Sequence, residues 1–364
     1  MRHLRVPSAE TQRWLDLCRS QGWLQTGAGV LTLDEGLKGI PLSQEAPGDN
    51  DENWAGNTIF SAPGLIKGPE HWSENLPPEI LEEIKNDIPK SYEVQGDVLI
   101  VKLGEEIRIH GEAIAEAMLK QLPSVRVVCA DNGVIGEFRV RDLQPLSSRN
   151  GDLSTITQIR ENGVLVSTDP AKVYFSARLS KEREDNVSTA KKLHQILSRP
   201  LRICDPYAGV GPSLAPLLRE KGLVSQCFAG DLNPDAFELL KNNIDHFTSK
   251  LNPPLPILEV KNIDARNWLN EHQIESSIDY LLVNLPHHSL EHLPELLPLL
   301  SRNNPTVIRG WAIIEKTSLL TQSDVIKSML ESAGAVVDTI NCSEVKGFSS
   351  SKIFMRFETW QTFY

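Results

Sequence analysis

No stretch of the 364 residues holds the run of about 20 apolar side chains that a membrane-spanning helix needs. The opening residues, Met1-Arg2-His3-Leu4-Arg5-Val6-Pro7, lack the apolar core of a secretory signal. The expectation is a cytoplasmic protein with no membrane partner. Cysteine is scarce and scattered: Cys18, Cys129, Cys204, Cys227 and Cys342 form no Cys-x-x-Cys pair and stand near no histidine at metal-ligand spacing. That pattern argues against a zinc site and predicts reduced, mostly buried thiols and no metal. Positive charge is also short, with 37 Lys and Arg against 48 Asp and Glu and a net charge of -11. An acidic chain is a poor nucleic-acid binder on its total charge. The distribution of that charge points the other way: residues 34–90 carry 12 acids against 4 bases, whereas residues 139–202 carry 12 bases against 7 acids. A local basic face permits RNA binding, although a solvated charged surface explains the same count.

What is present reads as three domains. Residues 1–46 form a small N-terminal unit, with a helix starting near Ser8, apolar Trp14, Leu15 and Cys18 at near-helical spacing, and strand-like pieces at 30–33 and 39–42. Residues 47–68 read as a linker, because 46–53 are polar and turn-rich. Residues 69–170 read as a middle α+β domain, with helices near 78–85 and 113–122 and strands near 98–103 and 125–129. From 171 to 364 helix and strand alternate: helices near 188–197, 213–221 and 234–247, strands near 201–205, 227–231, 257–260 and 280–284. This predicts α/β architecture, a Rossmann-like, doubly wound and mostly parallel sheet, preceded by two smaller α+β domains.

The first strand of that pattern runs into Asp205-Pro206-Tyr207-Ala208-Gly209-Val210-Gly211-Pro212, a glycine-bearing loop that opens a helix. Gly209 and Gly211 let the backbone turn sharply and approach a ligand. Asp231 ends the next strand, at the distance where an acid takes both hydroxyls of a ribose. Asp264 follows the third strand, where a carboxylate can accept from an adenine amino group. A dinucleotide fingerprint would need a third glycine, where Leu214 stands, and Asp205 suits a cationic amino-acid moiety better than a phosphate. S-adenosylmethionine fits this set, with Ala208, Leu232 and Ala265 beside the acids. The fourth strand ends in Asn284-Leu285-Pro286. Proline fixes the turn there, and the Asn284 amide both donates to and accepts from a base edge.

Lys172-Val173-Tyr174-Phe175-Ser176-Ala177-Arg178-Leu179 with Glu182-Arg183, the 205–212 loop, Asp231-Leu232-Asn233-Pro234 and Asn284-Leu285-Pro286 together resemble the archaeal and eukaryotic tRNA (guanine-N1)-methyltransferases. These modify the guanosine immediately 3′ of the anticodon. The resemblance extends through Gly96-Asp97-Val98-Leu99, residues 136–141 and Glu161-Asn162-Gly163 into the N-terminal unit, so it covers nearly the whole chain. It implies tRNA as partner, Glu182 as general base for the N1 proton, and Arg139 as the cation that stabilises charge on guanine O6. Tyr174 and Asn284 would hold the flipped base, with Pro286 beside it, and Arg178 and Arg183 would grip phosphates or order Glu182. A monomer is expected, with the N-terminal unit touching the outer corner of the tRNA.

Each assignment has a plain alternative. Glu182 sits in the charge run Lys181-Glu182-Arg183-Glu184-Asp185, Arg139 has Glu137 and Asp142 as nearby partners, Tyr174-Phe175 are possible core aromatics, and His287-His288 read as an exposed loop. Ala177 stands where the family usually has proline. Three competing functions remain: the related wybutosine-pathway enzyme, which transfers the aminocarboxypropyl group of the same cofactor; a methyltransferase acting on another amine, such as an rRNA base or a glutamine side chain, against which Leu285 argues because that motif is usually Asn-Pro-Pro-aromatic; and a non-catalytic tRNA-binding relative.

Overall fold

Apolar strands after residue 200 assemble into a seven-stranded sheet in the computed structural model, which describes residues 1–66, 68–252, 256–271 and 276–364. Its strands are β1 (Leu201–Asp205), β2 (Val224–Asp231), β3 (Ile257–Asn262), β4 (Tyr280–Val283), β5 (Pro305–Glu315), β6 (Ala335–Gly347) and β7 (Lys352–Phe363). They lie in the order β3-β2-β1-β4-β5-β7-β6, with the first five parallel and β7 antiparallel to both neighbours. Parallel strands covered on both faces read as unbroken apolar runs. Tyr280-Leu281-Leu282-Val283 is such a run, wholly buried.

Alternate residues feed two cores. Ile203, Tyr280 and Leu282 join one core with Ala190 and Leu193 of α1 (Ser180–Leu197), Leu214 and Leu217 of α2 (Leu214–Arg219), and Leu240 and Ile244 of α3 (Pro234–Thr248). Cys204, Leu281 and Val283 join the other, with Leu293 and Leu296 of α4 (Ser289–Leu296) and Ile326 and Leu330 of α5 (Gln322–Ser332). Glycine is required at Gly310 in β5, where a Cβ would strike the Phe357 ring and come within 2.9 Å of the Val283 carbonyl oxygen. Strand order reverses between β1 and β4, which opens a crevice at the carboxyl ends of those strands.

Before this sheet, Tyr92–Gln95, Val98–Val101, Val127–Ile135 and Val140–Ser148 form a four-stranded mixed sheet backed by helix Gly111–Gln121. A hairpin follows, Thr157–Glu161 against Val164–Thr168, closed by Asn162 and Gly163, both at positive φ. That turn favours Asn-Gly because both central residues must be left-handed. The sequence pattern put this hairpin in the middle domain. Its apolar face instead joins the large sheet's core through Val164 and Val166, and Asn243 of α3 bonds the Ser167 backbone in both directions.

The chain divides into two compact units, Met1–Leu81 and Glu82–Tyr364. In the first, Arg2–Pro7 pairs with Leu37–Pro41 and Ile59–Ser61, and helix Thr11–Ser20 packs Trp14 and Cys18 against Leu4, Val6 and Ile40. Residues 47–68, expected as a linker, are largely folded into this unit. Trp54 is 1% exposed and donates its indole N–H to the Gly48 carbonyl at 2.8 Å, and Ile59–Ser61 closes the sheet edge. The polar composition around Trp54 conceals one large anchor. No helix among the described residues is long and apolar enough to cross a membrane. All five cysteines are free thiols, four of them buried.

Candidate active site

The crevice at the ends of β1, β2 and β4 collects the sequence-predicted cofactor residues. Gly209 and Gly211 have φ of 56° and 83°, and a side chain on Gly211 would run into Leu240. Asp231, at the end of β2, clamps this loop: one carboxylate oxygen accepts from the Gly209 N–H and the other from the Asn233 N–H, each at 2.9 Å. Each oxygen keeps a lone pair for a ribose hydroxyl. Burial raises the proton affinity of Asp231. Asp205 is 1% exposed, and burial, with Asp231 adding to it, pushes its carboxyl up to about 7. A buried carboxylate without a cation beside it is what an ammonium group would relieve. Asp264 accepts from the Arg266 N–H and pairs with its guanidinium at 2.6 Å, which holds the carboxyl below the usual range. Ala208 and Ala265 are buried close by, and Leu232 is largely exposed.

Sequence reasoning missed one residue of this cradle. Asn243 is 2% exposed and donates to the carbonyls of Val210 and Ser167, both at 2.8 Å, so it fastens the glycine loop from beneath. The available signal was its place on the apolar stripe of Ala236, Leu240 and Ile244, where a polar side chain must find partners. Tyr207 in the loop hydrogen-bonds the His292 ring at 2.9 Å, a second link that no sequence motif announces.

The acceptor side faces the same strand ends. Asn284 and Pro286 follow β4, and the Pro286 carbonyl accepts from the Ile313 N–H of β5 at 2.8 Å. Tyr174 is 66% exposed, not a core aromatic, and its carbonyl lies near Gly209. Its segment is pinned to the cofactor side by Asn233, which donates to the Lys172 carbonyl at 2.8 Å, and by the Lys172–Asp235 ion pair. Arg139 sits at the tip of the 127–148 hairpin with a left-handed φ of 51°. Among the described residues its guanidinium has no ion pair, so neither Glu137 nor Asp142 claims it. It lines one small cleft together with Gln95, Arg141, Tyr174 and Phe175. Its charge also reaches His287, whose proton affinity is lowered first by partial desolvation of the ring and then by Arg139.

Residues 72–147 match the TYW2 N-terminal domain family, and residues 157–330 match the TRM5/TYW2 methyltransferase domain family. Together these matches span more than half of the chain. Residues 157–330 form a TRM5/TYW2 methyltransferase domain. It is 33% identical over 215 residues to the tRNA (guanine(37)-N(1))-methyltransferase Trm5b of Pyrococcus abyssi, covering 58% of each protein. It spans only about half the length of the first curated relatives it matches. The solved complex of aTrm5 with tRNALeu has the same fold, with a TM-score of 0.67, 22% identity and 99% of each chain covered. TYW2 of Pyrococcus horikoshii in complex with MeSAdo has a TM-score of 0.60 and 21% identity, with 78% of this chain and 98% of that one covered.

The structure revises two expectations for helix α1. Helix α1 starts at Ser180, not near 188, so the charge run 181–185 is helical and two-faced. Lys181 and Glu184 face water, whereas Glu182 and Arg183 turn inward, at 7% and 5% exposure. Arg183 is therefore no phosphate ligand. Its guanidinium makes two bonds to Glu161, at 2.8 and 2.7 Å, donates to the Ser176 carbonyl and lies over the Phe175 ring. It braces the Tyr174 segment against the hairpin. Arg178 remains exposed. Glu182 accepts from the Trp311 indole at 3.1 Å and from Arg309 and Arg356 at 3.3 and 3.4 Å. His287 and His288 lie exposed beyond Pro286, with His288 paired to Glu291 at 3.0 Å. Among the described residues no group of His, Cys, Asp and Glu is arranged to hold a metal ion.

Proposed function

We propose that the chain transfers a methyl group from S-adenosylmethionine to N1 of the guanosine 3′ of the anticodon in tRNA. The observation that supports this reading is the Gly209 loop: Asp231 clamps it, the Tyr174 carbonyl lies against it, and Arg139, without an ion pair among the described residues, lines a cleft with Tyr174, while Asn284 and Pro286 follow β4, the neighbour of β1. The cradle fits the cofactor. Asp231 keeps lone pairs for the ribose, buried Asp205 suits the ammonium group, and the left-handed glycines leave room for its chain.

S-adenosylmethionine supplies an electrophilic methyl group on a sulfonium. The residues prepare the nucleophile. Guanine N1 carries a proton at neutral pH, and losing it leaves negative charge shared with O6. Glu182 is the carboxylate assigned to take that proton. Arg139, whose guanidinium has no ion-pair partner among the described residues, is assigned to O6, where a fixed cation stabilises the developing charge. Tyr174 offers an exposed ring for the extruded base, and Asn284, with no other side-chain bond among the described residues, offers an amide to its edge. Asp264 serves the adenine amino group through the lone pairs that Arg266 leaves. Arg178, exposed where Arg183 is not, is the phosphate contact. Residues 1–46 touch the outer corner of the tRNA, and the protein acts as a cytoplasmic monomer.

A second reading has one observation in its favour: residues 72–147 match a TYW2 N-terminal domain, which points to aminocarboxypropyl transfer. The intact Asn284-Leu285-Pro286 and Gly209-Val210-Gly211-Pro212 motifs favour methyl transfer. Incubation of unmodified tRNA with labelled S-adenosylmethionine, followed by nucleoside mass analysis, decides between them. N1-methylguanosine beside the anticodon supports the proposal. An aminocarboxypropyl adduct, or tRNA binding without transfer, overturns it.

A further inference from the structure

Glu182 is buried in a cluster that a solvated charge run would not need. Its Oε2 accepts two donors, the Trp311 indole N–H at 3.1 Å and Arg309 at 3.3 Å. Among the described residues its Oε1 accepts only from Arg356, at a long 3.4 Å. A carboxylate offers about four acceptor directions. Two donors therefore fill Oε2, and the third leaves Oε1 with an open direction.

The register of β5 places Trp311 beside the target-base motif. Leu282 pairs with Arg309 and Val283 with Gly310, so Trp311 stands one step further, level with Asn284. Two residues on, the Ile313 N–H holds the Pro286 carbonyl. Trp311 is 3% exposed and packs with Leu179 at the start of α1. Trp311 thus joins β5, at the level of Asn284, to the helix that carries Glu182.

Further ion pairs fix the cluster in place. Arg309 also pairs with Glu358 at 2.7 Å, and Asp185 lies 3.9 Å from Arg309 and 3.8 Å from Arg356. Glu182, Asp185 and Glu358 thus face the two guanidinium groups, and Asp185 also pairs with the exposed Lys181 at 3.2 Å.

We infer that Trp311 is a positioning residue for Glu182: its indole N–H ties down Oε2 so that Oε1 is the oxygen that receives the guanine N1 proton. This rests on the proposed reading of Glu182 as the base. In the step, the N1–H bond gives its electron pair to N1 and its proton to Oε1. N1 bonds the methyl carbon, and the carbon–sulfur bond breaks with its pair going to sulfur, which becomes a neutral thioether.

Trp311→Phe keeps most of the ring and removes the N–H. The carboxylate is then free to swing toward Arg309 and Arg356, and a misplacement of about 1 Å costs up to about a hundredfold in rate. Single-turnover methyl transfer should fall by about tenfold or more in W311F, with cofactor affinity and KM for tRNA changed less than about twofold. Trp311→His, which keeps a ring N–H, should recover part of the rate. In the E182Q background W311F should cost nothing further, because its effect acts through Glu182. A merely structural tryptophan would lose rate equally in both backgrounds, and that additivity overturns the inference. So does a wild-type rate in W311F while E182Q is slow. A wild-type rate in E182Q instead removes Glu182 as the base, and absence of N1-methylguanosine with the unaltered protein removes the methyl-transfer reading; the inference falls with either.

Discussion

The donor and acceptor halves of this crevice are built by different means. On the donor side the strand ends and their loops do the work: Asp205 and Asp231 end β1 and β2, Asp264 follows β3, and all three carboxylates accept from the backbone N–H two residues on. On the acceptor side the parts come from afar. Glu182 takes its donors from residues 127, 129 and 174 positions away, and Arg139 arrives on a separate hairpin. A site made of local turns tolerates neighbours that vary. A site assembled from distant pieces depends on the packing that joins them.

That comparison predicts separable losses. The largest should come from Glu182→Gln, which keeps the shape and removes the proposed base: methyl transfer should fall by about a hundredfold or more with cofactor affinity intact, read by single-turnover kinetics and calorimetry. Asp231→Asn should do the reverse, weakening cofactor binding by about tenfold to a hundredfold as a charged acceptor is lost, while tRNA affinity holds. Equal damage to both affinities in either variant would break the distinction between the halves.

Acid should also act on the donor half. The ionised form of Asp205 is the one that suits an ammonium group, and its carboxyl is pushed up to about 7 by burial. Below that value a proton competes with the ligand. Cofactor affinity should therefore be flat above about pH 8 and fall by about tenfold for each unit below 7. Calorimetry across about pH 5.5 to 8.5 reads it, and a flat profile would remove Asp205 from ammonium binding.

The smallest effects on binding separate two neighbouring arginines. Arg178→Ala should weaken tRNA binding modestly and lower its salt dependence by about one phosphate contact. Arg183→Met should leave that salt slope unchanged and instead destabilise the fold by about 3 to 5 kcal/mol, because Glu161 is stranded in a buried place. Denaturation together with binding titrations at several salt concentrations distinguishes them. An altered slope in the Arg183 variant would restore it to the RNA surface.

The same contrast explains what the sequence made legible. Strand-helix alternation, the glycine loop and the acids after β1 to β3 are local patterns, and they placed the sheet and the cradle. The inward turn of Glu182 and Arg183 was hidden, since an alternating charge run reads as a solvated face until Arg309, Trp311 and Arg356 are seen opposite it. Residues 47–68 were misread for a related reason: one buried tryptophan and a three-residue edge strand outweigh a polar, turn-rich composition. Asn243 was missed because a single polar residue on an apolar stripe does not announce which backbone it serves.

The account's central claim is that one crevice brings a methyl donor to guanine N1 with Glu182 as the base. The most direct test is single-turnover transfer from labelled S-adenosylmethionine to unmodified tRNA by the unaltered protein and by E182Q, with cofactor affinity measured on the same samples. The account predicts N1-methylguanosine 3′ of the anticodon, formed at least about a hundredfold more slowly by the variant at unchanged cofactor affinity. Equal rates in the two proteins, or a product other than N1-methylguanosine, would contradict it.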